Sequence, residues 1–109
     1  MKNRFGVPCS KLKDYLDGDE IPCTNEAEAM AMAAGTWFAG KEPEVYMQNS
    51  GLGHIVDVVA SLYNPYNIPL PKLYLSVRNA PHHHNYMFKY TNPLLSLMEY
   101  DNVIKIIQK

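Results

Sequence analysis

Several segments of this 109-residue chain carry side chains that could do chemistry. Glu26 follows Asn25 at the head of an alanine-rich stretch. A carboxyl group there can polarise a ligand, or can simply complement the positive end of a helix for about 0.3–1 kcal/mol. Gln48-Asn49-Ser50-Gly51-Leu52-Gly53 joins amide and hydroxyl groups to two glycines. Such a run can be a tight turn needing positive φ, a phosphate cradle ahead of a helix, or a set of polar groups facing a ligand. Arg78 opens a polar loop that contains His82-His83-His84. Three adjacent histidines seldom converge on one ion, because metal ligands are usually spaced apart, so an exposed loop is the plainer reading. Pro8-Cys9-Ser10 can end a strand and cap a helix. No histidine base is evident for Cys9, so nothing marks it as a nucleophile. No carboxylates stand at metal-site spacing, Asp17-Gly18-Asp19 reads as a turn, and no metal site is expected on this chain.

The elements that must position these groups are short. Phe5 to Pro8 resembles the exit of a strand, and Ser10 can cap a helix over Lys11 to Leu16. Ile21 to Thr24 reads as a second strand. Asn25, with Glu28 three residues on, has the spacing of a capping box, and the helix it opens runs to about Ala39 with Gly40 as its stop. The small residues of that helix allow close approach to a sheet, and Trp37 on it should pack. Glu44 to Gln48 is a third strand, Ile55 to Leu62 a helix, Leu73 to Val77 a fourth strand. Thr91 to Tyr100 reads as a helix and Asn102 to Ile107 as the last strand. Strands separated by helices of this length imply an α/β fold with an open, mostly parallel sheet, three-layered, with flanking helices. One domain over residues 1–109 is expected. Open parallel sheets bind ligands beyond the carboxyl ends of their strands, and most of the polar residues above follow a candidate strand.

Composition excludes several classes of function. Hydrophobic residues are 47% and charged residues 19%, a globular balance. Ten basic against eleven acidic side chains leave no basic surface for nucleic acid. Two cysteines are too few for a disulfide scaffold and suit reduced thiols. The charged N-terminus is followed by no apolar signal core, and the run from Ala29 to Gly40 falls short of the ~20 apolar residues that span a bilayer. A cytoplasmic location is expected.

At these same loops the sequence resembles a known family. Gly6-Val7-Pro8-Cys9-Ser10, Asn25-Glu26 with Ala33-Ala34-Gly35, and the specific run Val45-Tyr46-Met47-Gln48-Asn49-Ser50-Gly51-Leu52-Gly53 look like the pyrimidine-binding domain of thiamine-diphosphate-dependent decarboxylases. The likeness is to the phosphonopyruvate decarboxylase and sulfopyruvate decarboxylase alpha-subunit branch. Ser61-Leu62, Tyr66, Ile68-Pro69 and Arg78 continue it, as do His84, Met87, Lys89, Thr91, Leu94 and Leu95. The chain departs from the pattern in lacking a helix before its first strand, in carrying His54 and Asp57 where asparagines often follow the glycine turn, and at Asn79 and Phe88.

The resemblance implies roles for particular residues. Glu26 matches the glutamate that hydrogen-bonds the aminopyrimidine of thiamine diphosphate. A carboxyl group held there promotes the imino tautomer, whose exocyclic nitrogen can take the proton of the thiazolium carbon; the cofactor carries the carbanion chemistry. Pro8, Gln48, Asn49, Ser50 and Gly51 would line the cofactor. Cys9, Ser10, Asn49 and Arg78 would line the substrate, with His84 as an acid or hydrogen-bond donor. A 3-phosphono- or 3-sulfo-2-oxo acid brings a second negative charge, worth ~4 kcal/mol against a cation 4 Å away at an effective dielectric of 20, and Arg78 offers the matching fork. The family's Gly-Asp-Gly signature for the diphosphate and its Mg²⁺ is not in this sequence. The implied assembly therefore joins this chain to a diphosphate-binding partner subunit in a hetero- or homo-oligomer. Two other readings stay open: a binding or interaction module that keeps the fold without catalysis, and a free-standing nucleotide- or phosphate-binding domain of flavodoxin type.

Overall fold

A computed structural model describes residues 3–8, 18, 20–78 and 85–107. Five short strands form one sheet: β1 (Arg4–Gly6), β2 (Ile21–Pro22), β3 (Glu44–Gln48), β4 (Lys72–Val77) and β5 (Val103–Ile107). Their order is β2-β1-β3-β4-β5, and all four pairings are parallel. The α/β architecture read from the sequence is the one observed. Pro22 lacks an N–H for a ladder and stands on the edge strand β2, where that omission is tolerated. The chain leaves β1 toward β2 and β3 toward β4 in opposite directions along the sheet, so the order switches between β1 and β3. Ligands of open parallel sheets lie at such a switch, outside the carboxyl ends of the strands.

The alternation of strand residues divides the two faces. Val45, Met47, Leu73, Leu75 and Val77 point into the main core, which also holds Ala29, Met30, Ala33 and Ala34 of helix α1 (Glu26–Phe38). The alanines let α1 lie close over β1 and β3, as the small residues predict. Trp37 is half buried against this core, edge-on to Phe38 at 5.1 Å between ring centres. The opposite face carries Tyr46 and Ile106, with Tyr74 partly buried beside them. Gly6 belongs to that face for a steric reason: a Cβ there would stand 2.1 Å from the Tyr46 carbonyl oxygen and 2.6 Å from its ring.

Helix α1 begins and ends on sequence signals. Asn25 is its N-cap, and Gly40 stands at φ +87 just past Ala39, with the Lys41 N–H reaching back to the Thr36 carbonyl at 3.2 Å. The segment after β3 differs from expectation. The chain enters a 3₁₀ turn at once (Asn49–His54), passes through α2 (Val56–Val58), and widens into a π turn (Val59–Tyr63). Leu52, Ile55, Val59 and Tyr63 are buried along it and bind the run to the core. Helix α3 (Asn85–Leu97) starts earlier than Thr91 and carries Pro93 within it. A helix starting at Thr91 would place Pro93 in its first turn, where the missing N–H is harmless. The observed helix keeps the proline inside and adds a bond from the Thr91 hydroxyl to the Met87 carbonyl at 2.6 Å. It ends with Glu99 at φ 53 and the Tyr100 N–H on the Leu95 carbonyl. The helix expected over Lys11 to Leu16 lies outside the described residues. Among those described, no helix is long and apolar enough to cross a membrane.

Candidate functional site

The first turn of α1 sorts its two acidic residues into different tasks. The Asn25 side chain accepts the Glu28 N–H at 2.9 Å, and the Glu28 carboxylate turns back to the Thr24 N–H at 3.0 Å and its hydroxyl at 3.4 Å. This is the reciprocal capping expected from the sequence, displaced by one residue on the return bond. Glu28 is thereby occupied. Glu26, the first helical residue, is left to face the turn that follows β3.

The Glu26 carboxyl lies against Gly51. A Cβ built at Gly51 would fall 2.5 Å from Glu26 Cγ, 2.6 Å from Cδ and 2.8 Å from Oε2. The glycine is therefore required by the carboxyl group packed against it. It is not required by backbone conformation, because among described residues positive φ occurs only at Gly18, Gly40, Asn67 and Glu99. Of the readings open for this run, the turn that needs positive φ is not the one observed: the segment is a 3₁₀ turn without positive φ. The Glu26 side chain retains only 14% of its exposure, and its Oε1 is 2.8 Å from His54 Nδ1. No hydrogen bond to Oε2 is present among the described residues.

Asn49 is used differently from its neighbours. It is 1% exposed, and its carboxamide spans both backbone groups of Arg78: Nδ2 donates to the Arg78 carbonyl and Oδ1 accepts the Arg78 N–H, each at 3.2 Å. Nδ2 also donates to the Thr91 hydroxyl at 3.0 Å. One amide thus ties the turn after β3 to the end of β4 and to α3. It fixes where Arg78 leaves the sheet, and its own donors are engaged within the chain. Ser50 is exposed and donates to Gln48 Oε1 at 3.5 Å. Pro8 is exposed beyond the end of β1, beside the switch in strand order. Cys9, Ser10 and His84 lie outside the described residues. The structure brings Glu26 and Gly51 into direct contact, and it couples Asn49 to Arg78.

His54 is the partner that the residue pattern alone did not reveal. Its only sequence signal is that it departs from the asparagine usual after the glycine turn. Other chemically active groups of the chain stand apart. Cys23 is 6% exposed, and burial raises its thiol above the usual range, which suits a packed thiol and not a nucleophile. Arg4 pairs with Glu44 at 2.6 Å and Glu20 at 3.4 Å, and the Glu44 hydrogen bond raises its guanidinium further. Arg4, Glu44 and Lys72 all begin strands, so that cluster occupies the amino edge of the sheet, opposite Glu26. Among the described residues no group of three or more His, Cys, Asp or Glu could hold a metal ion.

Comparison with known proteins finds relatives for this arrangement. The chain is 43% identical over 70 residues to sulfopyruvate decarboxylase subunit alpha of Methanocaldococcus jannaschii, a match covering 58% of this chain and 41% of that protein. It is 46% identical over 71 residues to the same subunit of Methanothermobacter thermautotrophicus, covering 59% and 43%. Against phosphonopyruvate decarboxylase of Streptomyces viridochromogenes it is 34% identical over 106 residues, covering 86% of this chain and 26% of that protein. No family model matches the chain. The chain spans less than half the length of these curated relatives. They are the homologues that the sequence resemblance indicated.

Proposed function

We propose that this chain forms the pyrimidine-side half of a thiamine-diphosphate-dependent decarboxylase acting on 3-sulfopyruvate or 3-phosphonopyruvate. The observation that carries the reading is the Glu26 carboxyl: laid on Gly51, largely withdrawn from solvent, with Oε2 accepting no hydrogen bond among the described residues, at the strand edge where such a sheet takes its ligand. The names of the relatives support the substrate class.

The residues present fit the heterocyclic part of that cofactor. A carboxyl oxygen without a partner can meet one ring nitrogen, and the absence of a side chain at residue 51 leaves the carboxyl its place. When bound, the cofactor supplies an electron sink for the carbanion left by carbon dioxide. The chain's own groups do the rest. Glu26 holds or shares a proton at Oε2. Asn49 fixes the Arg78 backbone, so that the guanidinium starts from a set position toward the second anionic group of the substrate. Gln48 and Ser50 border the turn with amide and hydroxyl groups. The diphosphate and its Mg²⁺ would be held by a partner subunit, in keeping with relatives named as alpha subunits.

The test is co-expression with a diphosphate-binding subunit, followed by carbon dioxide release from each substrate with thiamine diphosphate and Mg²⁺. Glu26→Gln should fold normally and lose most of the turnover, at least ~100-fold for a polarising group removed from the reacting centre. Full activity in that variant would sink the reading and leave a non-catalytic module of the same fold.

A further inference from the structure

The contact between His54 and Glu26 is more than a surface ion pair. His54 ends the 3₁₀ turn that begins at Asn49 and is 67% exposed on its side chain, whereas the carboxyl it meets is 14% exposed. The 2.8 Å separation from Nδ1 to Oε1 is that of a well-formed hydrogen bond. Gly51 stands on the other side of the same carboxyl, nearest to Cγ, Cδ and Oε2. The side chain is thus gripped between a glycine of the turn and an imidazole three residues on. A glutamate has three side-chain torsions, and one hydrogen bond on a chosen oxygen removes most of their freedom.

We infer that His54 is a positioning residue for Glu26: by holding Oε1 it presents Oε2, in a fixed rotamer, to the ligand. This rests on the reading of Glu26 given above. The imidazole's one hydrogen bond among the described residues is to this carboxyl, so its contribution is geometric and concerns which oxygen stays open to a ligand. Its exposure also means that its removal leaves no cavity, so the fold does not depend on it. The Ser50 hydroxyl on the same turn is directed to Gln48 and does not compete for the carboxyl.

Two measurements separate this inference from the function on which it rests. The first needs neither cofactor nor partner: long-range proton–nitrogen correlation spectra of the full chain report which ring nitrogen of His54 carries the proton. Nδ1 should be protonated at neutral pH, and Glu26→Ala should return His54 to the Nε2–H form usual for a free imidazole. An Nε2–H tautomer with bare Nδ1 in the unaltered chain would overturn the contact. The second uses the enzyme reconstituted with its partner subunit. His54→Ala should lower kcat about tenfold, with KM for the 2-oxo acid unchanged, because the group removed orients another and touches no substrate. His54→Asn, whose amide can still donate to Oε1, should recover most of that loss. An unimpaired His54→Ala beside an inactive Glu26→Gln overturns the positioning role alone. If Glu26→Gln is itself fully active, both fall, whatever the spectra of the imidazole.

Discussion

Replacing Gly51 by alanine perturbs the candidate carboxyl without touching it. A methyl group at 51 would stand 2.5 Å from Glu26 Cγ and 2.6 Å from Cδ. Carbon atoms settle at about 3.5–4.0 Å, so the glutamate must retreat by about 1 Å. It can do so, because the three nearest atoms all belong to the outer part of one flexible side chain and none to backbone. The backbone need not yield, since φ at Gly51 is in the ordinary range. Stability should therefore change by no more than about 1 kcal/mol, the cost of one displaced contact offset by the lower chain entropy of alanine. Catalysis should suffer far more, because misplacing a reacting group by about 1 Å costs on the order of 100-fold. Gly53→Ala is the internal control. It lies in the same turn, a Cβ there would meet nothing within 4 Å, and its variant should match the parent in both rate and melting temperature. The assay is carbon dioxide release by the reconstituted enzyme beside thermal unfolding of each chain. Equal rates for Gly51→Ala and Gly53→Ala would refute the reasoning, as would a Gly51→Ala chain that fails to fold.

Two further outcomes follow from the buried polar groups. Asn49→Ala removes three hydrogen bonds from a side chain that is 1% exposed, and leaves both backbone groups of Arg78 without that partner. Urea unfolding should show a loss of about 2–4 kcal/mol, and an unchanged midpoint would contradict the bridging role. Burial raises the Tyr63 and Tyr100 phenols well above their ordinary value of 10.0. Below that pH both are protonated whether the chain is folded or not, and their stabilisation is complete. Above it the unfolded chain loses protons first, and stability should fall by about 1.4 kcal/mol per pH unit for each tyrosine. Denaturant titrations through this alkaline window should show the fall, and Tyr63→Phe should lessen its slope; a parallel decline in that variant would tell against it.

How much of this could be read from the chain depended on how local the determining physics is. Strand β3 has the bounds expected, Glu44 to Gln48, because turn residues flank a short continuous apolar run, Val45 to Met47. Helix α1 was legible from Asn25 and Gly40, which act within one turn of its ends. Helix α3 was not, because Asn85 to Tyr90 has no clear apolar stripe: Tyr86, Phe88 and Tyr90 all stay exposed. The widening to a π turn at Val59 was equally hidden, since it follows from where Tyr63 must go to reach the Met30 carbonyl at 2.6 Å, 33 positions away. Glu26 and Gly51 could each be singled out from sequence. Their contact could not, because 25 positions separate them and each has a sufficient local explanation, as a helix N-terminal acid and as a turn glycine.

That contact also separates the part of the site that can vary from the part that cannot. Ala29 and Met30, one helical turn beyond Glu26, are wholly buried, and so is Leu52 beside Gly51. The carboxyl and the glycine beneath it thus stand on two elements locked into one core, so the backbone that carries each is fixed while the glutamate side chain can still adjust. The rim is of a different kind. Ser50 and His54 are exposed and support no packing. Substitutions at the rim should alter how a ligand is held while leaving the fold intact, whereas large-to-small changes at the buried residues that carry the site, Met30 and Leu52, should lose fold and site together. An imidazole in place of a carboxamide at position 54 is a change of the first kind. It lets the chain diverge in how it presents the Glu26 oxygen while the surface that supports the carboxyl stays fixed.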